Sequence, residues 1–309
     1  MRHIPLAACM VALSAVGALA QTPAPEDLVK QGRALVSQGK LDDAVTLYRQ
    51  AIKLAPQSFD ARLAMGILLD LRGQYAEART HLAEAIRRAP AGARNQAMMT
   101  MAISWAFEDR SDEAMKFFEP VYKQQLADQD AAGAAATANA VGRLYLETGD
   151  PANARKWYEL GVRHARAIDA LPQSERDLWE LRWLHAAARM AAREGKADEA
   201  RKQVAAFEQV MQKRGRLSED NEIYRYLLGY VSYYTKDYDR AIAELAKGNM
   251  GDPFITYLLG MAYEAKGDTT NARQYYRRTL EINAHSLPNA IARPHARAKL
   301  AGQSELRLH

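Results

Sequence analysis

One stretch of this 309-residue sequence carries basic side chains at the spacing of a single helical face. Arg182, His185, Arg189 and Arg193 are separated by three, four and four residues, so a helix over this stretch would align them. A guanidinium can donate two parallel hydrogen bonds to one carboxylate, which suits such a face to binding acidic groups. The alternative interpretation is a solvated helix face that binds nothing.

A second stretch places aromatic side chains on one face, at Tyr226, Tyr230, Tyr233 and Tyr234. Tyrosine is enriched where binding energy is concentrated, but an aromatic stripe at helical spacing also suits a protein core. Together with the arginines, these tyrosines would form a surface for an acidic segment that carries apolar or aromatic side chains. If the surface binds such a partner, we expect its side chains to be partly open to solvent and to lack acidic partners from their own chain.

No motif for catalysis accompanies these side chains. The sequence contains no HExxH, no phosphate-binding loop, no GxGxxG after a strand and no GxSxG. Its seven histidines are scattered singly, without a pair at metal-ligand spacing on a helix. We therefore predict a non-catalytic protein without cofactor or metal ion, and an enzyme with an unrecognised site is the minor alternative.

Composition and charge indicate a folded chain without a nucleic-acid partner. Hydrophobic residues make up 48% and charged residues 26% of the sequence, which is typical of globular proteins. The 42 basic and 37 acidic residues leave a net charge of +5, spread along the chain without any block of five or more like charges.

The first twenty residues are typical of a secretory signal peptide. Arg2 precedes an apolar stretch over 6–19, and the small residue Ala20 suits cleavage directly after it. Cys9, the only cysteine, would be removed with this segment, although its surroundings also resemble a lipoprotein signal. An uncleaved anchor would need about 18 to 20 apolar residues and is the main alternative. We predict a periplasmic or secreted protein with no membrane span after cleavage.

Self-similarity with a period of 34 residues begins directly after this segment. The recurring positions are Gly32, Gly39, Ala44, Ala51 and Pro56, which return as Gly66, Gly73, Ala78, Ala85 and Pro90. This period and its pattern of small residues resemble the tetratricopeptide repeat. The resemblance implies an all-α solenoid of about seven antiparallel helix pairs with a C-terminal cap helix.

The repeats occupy the predicted solenoid over 21–286, and a cap and tail follow at 287–309. Their approximate ranges are 25–58, 59–92, 95–128, 135–168, 175–214, 218–252 and 253–286. Small residues at fixed repeat positions are expected to let the two helices of a pair approach closely. Turn glycines such as Gly73 are expected to end a first helix in the left-handed conformation.

Three helix starts can be read from capping residues. Asp150 and Asp252 each precede a proline, which predicts an N-cap followed by the first helical residue. Ser174 with Asp177 has the spacing of a capping box.

The family resemblance also implies where a partner would bind, since in these repeats the first helix of each pair lines a concave groove. Carried onto this sequence, the groove positions are apolar in the second and third repeats, basic in the fourth and fifth, and aromatic in the sixth and seventh. The candidate groove residues are Arg143, Arg182, His185, Arg189, Arg193, Tyr226, Tyr230, Tyr233, Tyr234 and Tyr257.

The function that follows is a non-catalytic, exported adaptor that binds a protein or peptide segment in this groove. A glycan- or cell-wall-associated binding module is the second interpretation, because exposed tyrosines can stack on sugars. Arg143 and Glu147 could also pair with each other on a solvated helix, since they lie four residues apart. The sequence makes no prediction of oligomeric state.

Overall fold

A computed structural model describes residues 23–215 and 221–302. In these ranges the chain forms fifteen helices and no strand, with fourteen of the helices in seven consecutive antiparallel pairs. This confirms the predicted all-α solenoid and its C-terminal helix. The predicted signal peptide, Cys9 included, lies outside the described residues.

Each pair consists of two consecutive helices. The pairs are α1 (Pro25–Ser37) with α2 (Leu41–Leu54), α3 (Phe59–Arg72) with α4 (Tyr75–Arg88), α5 (Arg94–Ala106) with α6 (Ser111–Ala127), α7 (Ala131–Glu147) with α8 (Pro151–Arg166), α9 (Gln173–Arg193) with α10 (Ala197–Lys213), α11 (Glu222–Tyr234) with α12 (Tyr238–Leu245), and α13 (Pro253–Ala265) with α14 (Thr269–Glu281); the last helix is α15 (Leu287–Leu300). None of the helices in the described part of the chain combines the length and apolar character needed to cross a membrane.

Small residues hold the two helices of a pair together, as their spacing predicts. A methyl group added at Gly66 would lie 2.6 Å from the Leu82 side chain, and one at Gly142 would lie 2.9 Å from the Tyr158 ring. Gly73 ends α3 at φ 82°, in the left-handed region that favours glycine. Close packing within these two pairs therefore depends on the absence of a side chain at Gly66 and Gly142.

Two of the three predicted helix starts are confirmed. The carboxylate of Asp150 accepts a hydrogen bond from the Asn153 amide at 3.0 Å, and that of Asp252 accepts one from the Phe254 amide at 2.8 Å. The predicted capping box at Ser174 is wrong, because α9 already begins at Gln173 and its N-cap is a proline without a capping side chain.

The last helix does more than cover the seventh repeat. It packs on α13 and α14 and also contacts α5 and α7. Arg293 donates a hydrogen bond from Nε to the backbone carbonyl of Leu71 at 2.9 Å, and Arg297 donates to the same carbonyl at 3.2 Å. The C-terminal helix therefore links the end of the array to its second repeat.

Candidate functional site

The predicted basic face lies on α9, and two of its arginines are committed to an acid of the same chain. Arg189 donates to the Glu147 carboxylate at 3.1 Å and to the Tyr158 hydroxyl at 3.0 Å. Arg193 lies 3.9 Å from the same carboxylate and donates to the Tyr234 hydroxyl at 2.6 Å. The expectation that the arginines of this face lack an acidic partner is therefore wrong for Arg189 and Arg193.

Glu147 explains that outcome. It lies at the end of α7, its side chain is fully buried, and it also accepts a hydrogen bond from the Tyr230 hydroxyl at 3.1 Å. A buried carboxylate needs charge and hydrogen-bond partners, so it draws both arginines inward. The hypothesis that Glu147 pairs with Arg143 on the same helix is also wrong, since within the described ranges Glu147 forms its ion pairs with Arg189 and Arg193.

The predicted tyrosine face is mostly core. Tyr226, Tyr230 and Tyr257 are 7%, 0% and 3% exposed. The ring of Tyr230 lies 5.9 Å from that of Tyr226 and 6.3 Å from that of Phe254. The expectation that these three tyrosines are open to solvent is wrong, because the first helices of neighbouring pairs approach closely enough to bury their rings. Tyr233 and Tyr234 are half-buried against the same core.

The apolar end of the predicted groove is covered as well. Leu71 and Phe107, which lie at groove positions of the second and third repeats, are 0% and 1% exposed. Asp70 is buried beside them, and its carboxylate contacts His285 Nε2 at 2.8 Å and accepts a hydrogen bond from Ser104 at 2.8 Å. The C-terminal segment therefore covers the predicted groove positions of these repeats. We call the face of the array that carries the groove positions its inner side.

A cavity of about 350 Å³ remains among α7, α9, α10 and α11. We call it the α9 cavity. Its lining residues are Asn139, Arg143, Leu178, Leu181, Arg182, His185, Arg189, Phe207, Met211, Arg214, Asn221, Ile223 and Tyr226.

The α9 cavity brings together five of the predicted groove residues: Arg143, Arg182, His185, Arg189 and Tyr226. The predicted residues Arg193, Tyr230, Tyr233, Tyr234 and Tyr257 do not line it.

Eight lining residues are not among the candidate groove residues, and three of them belong to the end of a second helix. Phe207, Met211 and Arg214 come from α10 and the turn after it, whereas the family resemblance places the groove on first helices. Their spacing, with an apolar stripe ending in an arginine, was visible in the sequence. It did not reveal that this helix end would turn towards the inner side.

Several polar atoms in the cavity wall are buried and have no hydrogen-bond partner in the described part of the chain. They are Arg143 Nε and Nη2, His185 Nε2, Arg214 Nη1 and the Tyr226 hydroxyl. Leaving a buried polar group unsatisfied costs about 1–3 kcal/mol, and more for a charged one. Native proteins keep few such groups, so a cluster of them marks a place where a ligand or water belongs.

The charge in the cavity is positive, and its histidine is neutral. Burial is the main cause that lowers the pKa of His185 well below its usual value, and the cations of Arg189 and Arg143 add to the effect. No described residue that lines the cavity is acidic. The site can therefore offer hydrogen-bond donors and cationic charge to an anion.

No group of three or more histidine, cysteine, aspartate or glutamate side chains within 23–215 and 221–302 is placed to hold a metal ion. The arginines of the cavity are donors without acceptor capacity. The cavity arginines can therefore donate hydrogen bonds to acidic groups.

Comparison with known proteins gives two sequence matches and several structural ones. Models of the tetratricopeptide repeat match residues 29–93 and 256–286. No curated protein is similar to the chain in sequence.

The structural matches include the apo form of RapI, with a TM-score of 0.56 and 12% identity over 84% of this chain and 97% of that one. A tetratricopeptide repeat protein from Parabacteroides merdae aligns with a TM-score of 0.50 and 12% identity, over 82% of this chain and 91% of its own. The nearly identical TPR-like repeats of a putative kinesin light chain from Podosopora anserina give 0.52 and 17% identity, over 63% of this chain and all of theirs. At such identities the similarity shows the fold alone.

Proposed function

Because this chain is a tetratricopeptide-repeat protein, we propose that it is an exported, non-catalytic scaffold that binds an acidic segment of another protein. The segment lies over the mouth of the α9 cavity. Proteins built from these repeats are generally interaction scaffolds. Export is supported by the signal-peptide pattern of the first twenty residues.

The observation that carries this proposal is the make-up of the cavity mouth. Leu178 and Ile223 are 39% and 62% exposed, and both lie there beside the exposed Arg182. Exposed apolar side chains next to a cation are typical of a binding surface. An acidic segment with an apolar side chain complements both features.

The covered parts of the inner side support the same location. The C-terminal segment fills the inner side of the second and third repeats, where Leu71 and Phe107 are buried. A partner that approached there would have to displace α15, whereas exposed side chains of the α9 cavity, such as Ile223, can be reached without displacing a helix.

The glycan interpretation loses its main support. It rested on tyrosine rings that could stack on sugars, and Tyr226, Tyr230 and Tyr257 are buried among other side chains. The exposed side chains that line the mouth are aliphatic and cationic, and the half-buried ring of Trp179 beside them is covered by the Arg182 guanidinium at 4.3 Å. This make-up suits a peptide better than a sugar ring.

A photo-crosslinking amino acid at Ile223 tests the proposal in the native periplasm. Leu54 is a matched control, because it is 44% exposed and lies on α2, far along the chain from the cavity. We expect crosslinks at Ile223 to an acidic segment identified by mass spectrometry, fewer crosslinks with Arg182→Glu, and none of these products at Leu54.

Equal labelling at Ile223 and Leu54, or labelling of basic segments, would contradict the proposal. Crosslinking to glycan instead of protein would restore the second interpretation.

A further inference from the structure

We propose that the α9 cavity binds a single carboxylate joined to an apolar group, with the carboxylate on the Arg143 guanidinium. The inference deepens the proposed function and rests on it for the source of the carboxylate, an acidic side chain of the bound segment.

The first support is the edge of Arg143 that has no partner. Nε and Nη2 are both buried, and neither donates a hydrogen bond to any described residue. These two nitrogens lie on one edge of the planar guanidinium, so an N–H bond of each points in the same direction. This edge matches the two oxygens of a carboxylate, which accepts both hydrogen bonds at once.

The second support is the pair of groups beside it. Tyr226 is 7% exposed, yet its hydroxyl has no hydrogen-bond partner in the described ranges, and the same holds for His185 Nε2. The two rings lie 5.4 Å apart. A tyrosine hydroxyl and a neutral histidine can each donate one hydrogen bond, so both can add to the binding of an anion.

The third support is the charge balance. Glu147 is used by Arg189 and Arg193 and does not line the cavity. No carboxylate is found among the described residues that line the cavity beside Arg143, Arg182 and Arg214. Asp252 and Glu147, which do not line it, act on Arg143 electrostatically without forming an ion pair with it. An anionic ligand would provide the compensation, at a place where low polarity makes ionic hydrogen bonds strong.

The walls decide which anion fits. Leu181, Phe207 and Met211 are 7%, 1% and 5% exposed and contribute apolar surface to the cavity. A volume of about 350 Å³ is near the lower end of ligand cavities, roughly 300–1,000 Å³. It can hold one acidic group with a neighbouring hydrophobic one. A phosphate dianion would leave this apolar wall without a contact.

Calorimetric titration of the full chain with defined probes tests the inference. A capped peptide containing Glu-Phe represents the protein source, and the same peptide with Gln-Phe removes only the charge. 4-Phenylbutyrate and its amide provide the same comparison for a free organic acid. We expect the Glu peptide to bind at least about tenfold more tightly than the Gln peptide, because the neutral Gln side chain cannot form the ionic hydrogen bonds of a carboxylate.

Two variants locate the binding. Arg143→Gln and Tyr226→Phe should each weaken binding of the Glu peptide, the first by at least about tenfold. Tyr226→Phe removes a single oxygen and keeps the ring, so it tests the site even if Arg143→Gln perturbs the fold. Arg176→Gln, an exposed arginine near the start of α9, should bind like wild type.

The outcomes separate this inference from the proposed function. Equal affinity for the Glu and Gln peptides, or full affinity in both cavity variants, overturns the carboxylate site. If the Glu peptide then still loses affinity with Arg182→Glu, the scaffold function stands without it. If 4-phenylbutyrate binds through Arg143 and the peptide does not, the carboxylate site stands and a protein source is excluded.

Discussion

The side chain of Arg293 donates a hydrogen bond to the backbone carbonyl of Leu71, which precedes it by 222 residues. This contact joins the last helix to the second repeat and is buried. In a linear array each repeat contacts only its neighbours, so such a bond gives this solenoid a long-range tie.

Arg293→Met should therefore reduce the free energy of unfolding by about 1–3 kcal/mol, because the backbone carbonyls of Leu71 and Ile282 lose a charged hydrogen-bond donor. Urea denaturation followed by circular dichroism measures the change. Arg277→Met, at an exposed position of α14, should change stability by no more than about 0.5 kcal/mol. Equal effects of the two substitutions would show that the tie contributes nothing specific.

Glu147→Gln should be strongly destabilising, by about 3 kcal/mol, since removing one member of a buried ion pair leaves the other uncompensated. Arg189 is 5% exposed and would remain beside a neutral amide. Glu119→Gln is the matched control, because Glu119 forms an exposed pair with Lys123 and should cost less than about 1 kcal/mol. A small effect at Glu147 would mean that the network is open to water.

Stability should fall as pH decreases below about 6.5, with His185 as one cause. Burial lowers the pKa of His185 in the folded chain below the ordinary 6.5, so the unfolded chain binds more protons in this range. Free energies of unfolding at pH 7.5 and 5.5 should therefore differ less in His185→Gln than in wild type. His81→Gln should flatten the profile less, because His81 is only half-buried. An unchanged profile in His185→Gln would refute this assignment.

Gly66→Ala should destabilise the second helix pair by about 1–3 kcal/mol through overpacking. The added methyl group would meet the Leu82 side chain at 2.6 Å. Adding Leu82→Ala should recover part of the loss, so that the two changes cost less together than the sum of each alone. Strict additivity in a double-mutant cycle would show that the two side chains do not clash.

Much of the candidate site could be predicted from the repeat register. Arg143, His185 and Tyr226 are groove positions in the sequence, and they meet in one cavity in the structure. Register alone could not show that Arg189 is neutralised by Glu147, 42 residues earlier. That pairing depends on the position of α9 relative to α7. The packing of α8 against both helices sets this position.

The sequence by itself determined the helix pairs, because the features that define them are local. Gly66 permits close helix contact, Gly73 ends a helix, and Asp150 begins one, each through atoms within a single repeat. Only the tertiary structure decided which inner side chains are buried and which remain available. The curvature of the array brings α15 onto the second repeat and packs α11 against α9 and α13. A periodic sequence pattern does not encode contacts between residues so far apart in the chain.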